Sequence, residues 1–217
     1  LPLKADRVGN LVNDLDYIEL DGKVGYINGR AQIVIPMKFD AYTNSVQAGT
    51  FHGNIAKVAS KGKYGIIDRT GKVVLPVTIA KMGDAGTLIA SEKAGKWGYI
   101  DLSGQWKIAP TYEYAETFED GLGSVQNLTV FGAITATGTV IIPVEFTTVS
   151  RLDKTHYNVT KGAKNGIYSN VGKLLVPVEY NRIQRIDEDW IALFNGQQLH
   201  YFQCSTNKLV IPKLSTE

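Results

Sequence analysis

One motif recurs six times along the chain at nearly constant spacing, and it constrains the fold more than any other feature. Each copy reads aromatic–Gly, two or three apolar residues, a polar turn closing on Gly, an apolar triplet, then Pro and an aromatic. The copies anchor at Gly25, Gly65, Gly98, Gly132, Gly166 and, degenerately, Tyr201, with spacings of 40, 33, 34, 34 and 35 residues. A period in this range marks an array of supersecondary units, each in contact mainly with its neighbours. The chain is therefore read as a single repeat array over residues 1–217 rather than as one or two independent globular domains.

The positions within a period predict its local structure. Three residues after the anchors stand Asn28, Asp68, Asp101, Thr135, Ser169 and Cys204, and six after them Ala31, Gly71, Gly104, Gly138, Gly172 and Asn207. Turn openers followed by residues that tolerate positive φ predict a hairpin loop closed by a left-handed residue. In the first copy, Asn28-Gly29 instead predicts a tighter two-residue turn that needs no glycine at position 31. On either side lie strands with apolar residues two apart, such as Ile33 and Ile35, Val73 and Leu75, and Val140 and Ile142. Proline, which cannot donate to a ladder, is expected to stop these strands at Pro36, Pro76, Pro110, Pro143, Pro177 and Pro212. A third strand precedes each anchor, as in Ala56-Lys57-Val58 and Tyr157-Asn158-Val159. Each period thus reads as roughly three short antiparallel strands in an all-β fold. One period buries too few side chains to offset the cost of ordering it, so the units are expected to fold only when stacked.

These residues resemble the WG, or KWG, repeat family. Lys96-Trp97-Gly98-Tyr99-Ile100-Asp101 followed by Gly104, Pro110 and Tyr112 carries the resemblance most fully, and Lys63-Tyr64-Gly65-Ile66-Ile67-Asp68 followed by Gly71 and Pro76 nearly as well. It covers about residues 16–213. It implies a bacterial, often secreted or envelope-associated, protein with no general catalytic residue and a binding role. Trp stands before the anchor in one copy only; Val24, Tyr64, Phe131, Asn165 and His200 occupy the matching places.

The ends of the array set the choice of architecture. Ala115 and Phe118, Val149 and Leu152, and Ile183 and Ile186 form an apolar pair after each period, and Val8 and Leu11 repeat it at the start. Residues 1–15 therefore read as a partial leading unit or cap, and the sixth period lacks its tail. An open, twisted β-solenoid is expected, with a closed six-unit propeller-like ring as the alternative, because 34 residues are short for a four-stranded blade.

Composition removes several function classes. Net charge is +2 with no basic run, which speaks against a nucleic-acid groove. Cys204 is the sole cysteine, so neither an intrachain disulfide nor a multi-cysteine metal site is possible. No apolar run approaches the roughly 20 residues of a membrane span. An extracellular, periplasmic or envelope location is favoured if a signal peptide has been removed. His52, His156 and His200 fall at different places in their periods and are read as structural or surface residues, so neither metal nor cofactor is expected. Cys204 lies in a turn, where it would be exposed. The acidic groups at Glu119-Asp120 and Asp187-Glu188-Asp189 fall in turn-like stretches and are read as solvated surface rather than as a hydrolytic pair.

The first spacing is about six residues longer than the rest, and the excess falls in residues 41–53. Inserts in repeat arrays map to loops that often bind. Tyr42, Phe51 and His52 from that insert, with Trp190 beside its acidic tip, form the tentative binding surface. The function expected is a non-enzymatic recognition module, binding a protein partner across an extended repeat face. The alternatives are a carbohydrate or cell-wall binder, using Tyr42 and Trp190 to stack on sugars, and a toxin-neutralising partner protein.

Overall fold

The structure, a computed structural model, describes residues 4–9, 15–41 and 49–212. These form six antiparallel sheets, with no helix among the described residues. The first sheet contains Arg7–Val8, Leu15–Leu20, Lys23–Asn28 and Ile33–Asp40. The second contains Phe51–His52, Ile55–Ser60, Lys63–Asp68 and Val73–Ile79. The third contains Ile89–Lys93, Lys96–Ile100 and Trp106–Tyr112. The fourth contains Tyr114–Ala115, Leu122–Asn127, Val130–Thr135 and Val140–Phe146. The fifth contains Thr148–Arg151, His156–Lys161, Lys164–Ser169 and Leu174–Tyr180. The sixth contains Arg182–Arg185, Trp190–Asn195, Gln198–Gln203 and Lys208–Val210. Within each sheet the strands lie side by side in chain order.

The expected three strands are thus joined by a fourth in five sheets, and it is the short opening strand. The apolar pairs read as the tail of a period begin the next sheet: Ala115 pairs with Val125, Val149 with Val159 and Ile183 with Leu193. Arg7 and Val8 do the same for the first sheet, opposite Glu19 and Ile18. In the third sheet the corresponding stretch makes a single bridge, Met82 to Ser91.

In the first five sheets proline does not stop the last strand, which runs through it to Phe39, Ile79, Tyr112, Phe146 or Tyr180, whereas the sixth ends at Val210, before Pro212. The pairing explains how. Tyr26 faces Ile35 and Val24 faces Phe39, so Gly25 alone opposes Pro36, Met37 and Lys38. The same detour separates Tyr64↔Ile79 from Ile66↔Leu75, Phe131↔Phe146 from Ala133↔Ile142, and Asn165↔Tyr180 from Ile167↔Val176. Each is a bulge, where a residue without an N–H breaks no ladder bond. It also explains the anchor glycine. A Cβ on Gly25, Gly65, Gly98, Gly132 or Gly166 would lie 2.4–2.7 Å from a backbone oxygen of the detouring strand. None of these glycines has a positive φ. They are required by space alone, and the Gly–Pro–aromatic signature is one bulge written in sequence.

The sixth sheet tests this reading internally. Its residue opposite Leu193, where Val159 faces Gly166 in the fifth sheet, is His200 rather than Tyr201. Its last strand pairs without a shift, Tyr201↔Val210, Phe202↔Leu209 and Gln203↔Lys208. Among the described residues no strand pairs opposite His200, and no glycine stands there.

The turn before the last strand follows expectation in most copies. Gly71, Gly104, Gly138, Gly172 and Asn207 all have φ between 55° and 85°. Asp101 Oδ1 accepts from the Ser103 N–H, the Ser103 hydroxyl and the Gln105 N–H, and Asp68 Oδ1 does the same with Thr70 and Lys72. These donors, the hydroxyls foremost, hold both carboxyls below the usual range. The first copy departs from expectation. Its turn is the same one, with Asn28 N donating to Gln32 O, Ala31 N to Asn28 O, and Ala31 itself at φ 57°. Gly29 has no positive φ and a Cβ there would meet nothing within 4 Å. Ala31→Gly should therefore stabilise the protein by up to about 1 kcal/mol, and Gly29→Ala should be neutral or slightly stabilising. A two-residue Asn-Gly turn would make Gly29→Ala costly; thermal melts of the two variants decide.

The interior lies between consecutive sheets. The chain divides into two compact units, residues 1–111 and 112–217. In the first, Tyr26, Ile35 and Phe39 pack on Phe51, Ala56, Val58 and Ile67 of the second sheet, and Ile66 and Leu75 pack on Met82, Ile89 and Ile100 of the third. In the second unit, Ala133, Ile142 and Phe146 meet Tyr157 and Val159, and Ile167, Val176 and Tyr180 meet Ile191, Leu193 and Phe202.

Candidate functional site

Of the residues proposed from sequence as a binding surface, Phe51, His52 and Trp190 lie among the described residues. Tyr42 lies outside the described residues. Phe51 is buried, its ring 4.9 Å from that of Tyr26, with the Arg69 guanidinium 5.3 Å from its centroid. His52 is exposed at the end of its short strand. Trp190 is half-buried, edge-on to Tyr201 at 6.3 Å.

A different surface repeats. Of the two apolar residues at the start of each last strand, Ile35, Leu75, Ile108, Ile142 and Val176 are buried. Their partners two residues earlier are not: Ile33, Val73, Val140, Leu174 and, in the sixth sheet, Leu209 are 38–50% exposed. Trp106, at the same place in the third sheet, is half-buried. These strands are sheet edges. Each unit therefore presents three apolar side chains at equivalent edge positions, and exposed apolar groups along strand edges are what pairing partners use. A spacing of two puts both residues of the pair on one face of the strand; burial separates them, because the first sits at the mouth of the turn.

The acidic groups serve turns and ion pairs. Asp187 Oδ1 accepts from the N–H groups of Asp189 and Trp190, both at 2.8 Å. Asp189 accepts from Gln203 Nε2 and Ser205 N. Asp120 and Glu119 both face Arg151.

One constellation was not visible from sequence. Asp153, in the turn between the first two strands of the fifth sheet, lies beside His156 and meets the last turn of the sixth sheet. Asp153 Oδ1 accepts from Thr155 N at 2.8 Å, His156 N at 3.0 Å and the Thr155 hydroxyl at 3.0 Å. His156 Nδ1 stands 2.9 Å from both Asp153 oxygens, and its Nε2 is 2.8 Å from Asn207 Oδ1. Arg185 donates to the carbonyls of Leu152 and Glu188 at 2.9 and 2.7 Å and reaches Asp153 Oδ2 at 3.5 Å. Burial would raise the Asp153 carboxyl, but its hydrogen bonds from Thr155 and His156 outweigh this and bring it down to about 2. Cys204 is buried, not exposed as its turn position suggested, and burial together with the Asp153 charge pushes its thiol up. Asp153, His156 and Cys204 offer one ligand atom each, all within 4.8 Å of one another. The sequence hid this because His156 and Asn207 are 51 residues apart. A signal existed: ten residues before the anchor the other glycine-anchored copies carry Leu15, Ile55, Leu88 and Leu122, where this copy carries histidine.

Comparison with known proteins bears on the repeat. The model of the WG containing repeat matches residues 25–64 and 97–127. Those two segments match the WG repeat. The copies anchored at Gly65, Gly132 and Gly166 repeat the bulge and turn position of the first. No curated protein matches the chain in sequence. Among solved structures it is similar to a eukaryotic initiation factor at 13% identity and a TM-score of 0.51, covering 94% of this chain and 64% of that one. It spans less than two thirds of that protein's length. It is also similar to Hsv2 of Kluyveromyces lactis, at 13% identity and a TM-score of 0.45, over 95% of this chain and 77% of that one. Such likeness concerns the fold, which is β-propeller-like in these neighbours. A repeat-containing, all-β chain of this kind suits a binding or scaffold module.

Proposed function

We propose that the chain is a non-enzymatic recognition module that binds a protein partner along the edge strands of its sheets. One observation carries this reading: an apolar residue opens the last strand in five sheets, Leu209 stands at the equivalent pairing one residue into the sixth, and all six are left at least partly exposed. A position with no core to fill that nonetheless stays apolar is suited to a partner. The mode that fits is an extended segment lying along the edge, with backbone pairing and apolar contacts together. The carbohydrate reading depended on exposed aromatic planes at Tyr42 and Trp190, and Trp190 is packed on Tyr201. As to architecture, four strands fit within a 34-residue period after all. That removes the objection to a blade; small-angle scattering would separate a ring-shaped from an elongated envelope.

The test is a pull-down from native lysate with the wild type and with Val140→Asp/Leu174→Asp. The wild type should retain a specific protein at low and high salt, since the contact is apolar. The double variant should bind it at least about tenfold more weakly with an unchanged melting temperature. No specific partner, or one retained equally by the variant, would contradict the proposal.

A further inference from the structure

We propose that Asp153, His156 and Cys204 form a zinc site that ties the fifth sheet to the sixth. The donor set is a carboxylate, an imidazole and a thiol, the three ligand types zinc takes. Their ligand atoms converge within 4.8 Å of one another, and they come from two sheets that meet through their turns. His156 is only 3% exposed, so its ring is fixed in place by its surroundings, Phe202 standing edge-on at 5.4 Å.

The histidine supplies the second argument. A neutral imidazole has a single N–H. Donated from Nε2 to Asn207 Oδ1 at 2.8 Å, it leaves the Nδ1 lone pair facing both Asp153 oxygens at 2.9 Å. That arrangement is satisfied by a positive ion between them, either a proton or a metal ion. Zinc is such an ion and takes the neighbouring sulfur as well. Asn207 then plays the outer-shell part found around metal-bound histidines, fixing the tautomer through the second ring nitrogen. Carboxylate and thiolate together balance the ion's charge. Binding breaks the Cys204 S–H bond heterolytically, forms Zn–S and releases the proton to solvent. Three protein ligands leave a fourth position for water. Arg185 remains held by the carbonyls of Leu152 and Glu188. The departures from the repeat also coincide: histidine replaces an apolar residue in one sheet, and the turn it meets in the next carries the sole cysteine and ends on asparagine in place of glycine.

The experiment uses the full chain stripped with chelator. Cobalt(II) is titrated as an optical probe, then displaced with zinc, and melting is followed against free zinc. The expected results are a saturable thiolate-to-cobalt charge-transfer band, its loss on adding zinc, and a melting temperature that rises with the logarithm of free zinc. Cys204→Ser, checked for native near-ultraviolet circular dichroism, should show neither band nor zinc-dependent melting. Asn207→Ala should bind zinc about 10- to 100-fold more weakly. A wild type with no band and no zinc-dependent melting would mean that the pocket holds a proton alone. A Cys204→Ser variant with a wild-type zinc response would place the ion elsewhere. Either result overturns the proposal.

Discussion

Gly132→Ala is expected to destabilise the protein by about 3 kcal/mol, one of the largest effects available to a single methyl group here. The added carbon would sit 2.6 Å from Ile142 O and 2.8 Å from Val144 Cα and Cγ2. Two of those three atoms are backbone and cannot rotate away. Relief requires the last strand of the fourth sheet to move outward, which breaks the bulge at Pro143 and pulls Phe146 from its pairing with Phe131. Phe146 is buried against the fifth sheet, edge-on to Tyr168 at 5.7 Å, so the shift is transmitted to the core between the two sheets. His200→Ala is the matched control. It occupies the corresponding place in the sixth sheet, where no strand pairs opposite it among the described residues, and it loses the contact of His200 Nδ1 with the Tyr180 hydroxyl and its edge-on packing on the Tyr180 ring, about 1–2 kcal/mol. Denaturant melts of both variants check this. Equal stabilities would mean that the glycine is not held by the crossing strand.

The period, the all-β class and the turn geometry were legible in the sequence because each rests on local chemistry. Positive φ at Gly71, Gly104, Gly138 and Gly172 follows from what residues between two strands must do. The bulge was not legible, although every residue of its signature was in view. Proline in isolation predicts a strand end, and only the pairing of Val24 with Phe39 and Tyr26 with Ile35 shows a detour instead. Ala31 was misread for a similar reason. Asn28-Gly29 is a strong local turn signal, yet the register of the flanking strands fixes the loop length and forces an alanine into the left-handed region.

The candidate sites divide the same way. Period two put both members of each apolar pair on one face, but it could not show that Ile33, Val73, Val140 and Leu174, at the mouth of the turn, stay exposed. The Asp153–His156–Cys204 cluster joins two turns distant in sequence, so a count of cysteines and histidines passed over it. The acidic tip at Asp187 to Asp189 was read correctly as turn-like, and its carboxylates accept backbone N–H groups there.

The second large effect is a complete loss of structure when one sheet is isolated. Residues 114–146 hold the whole fourth sheet, from Tyr114–Ala115 to Val140–Phe146. Its Leu122, Ala133, Ile142 and Phe146 cover the fifth sheet's Tyr157 and Val159, so in isolation that face turns to water. A strand ladder with an uncovered apolar face cannot offset its conformational entropy. Far-ultraviolet circular dichroism of a peptide spanning residues 114–146, followed through a thermal melt, is the direct test of an interior that lies between sheets. The account predicts a coil spectrum with no cooperative transition; a β spectrum with a sharp, reversible melt would contradict it.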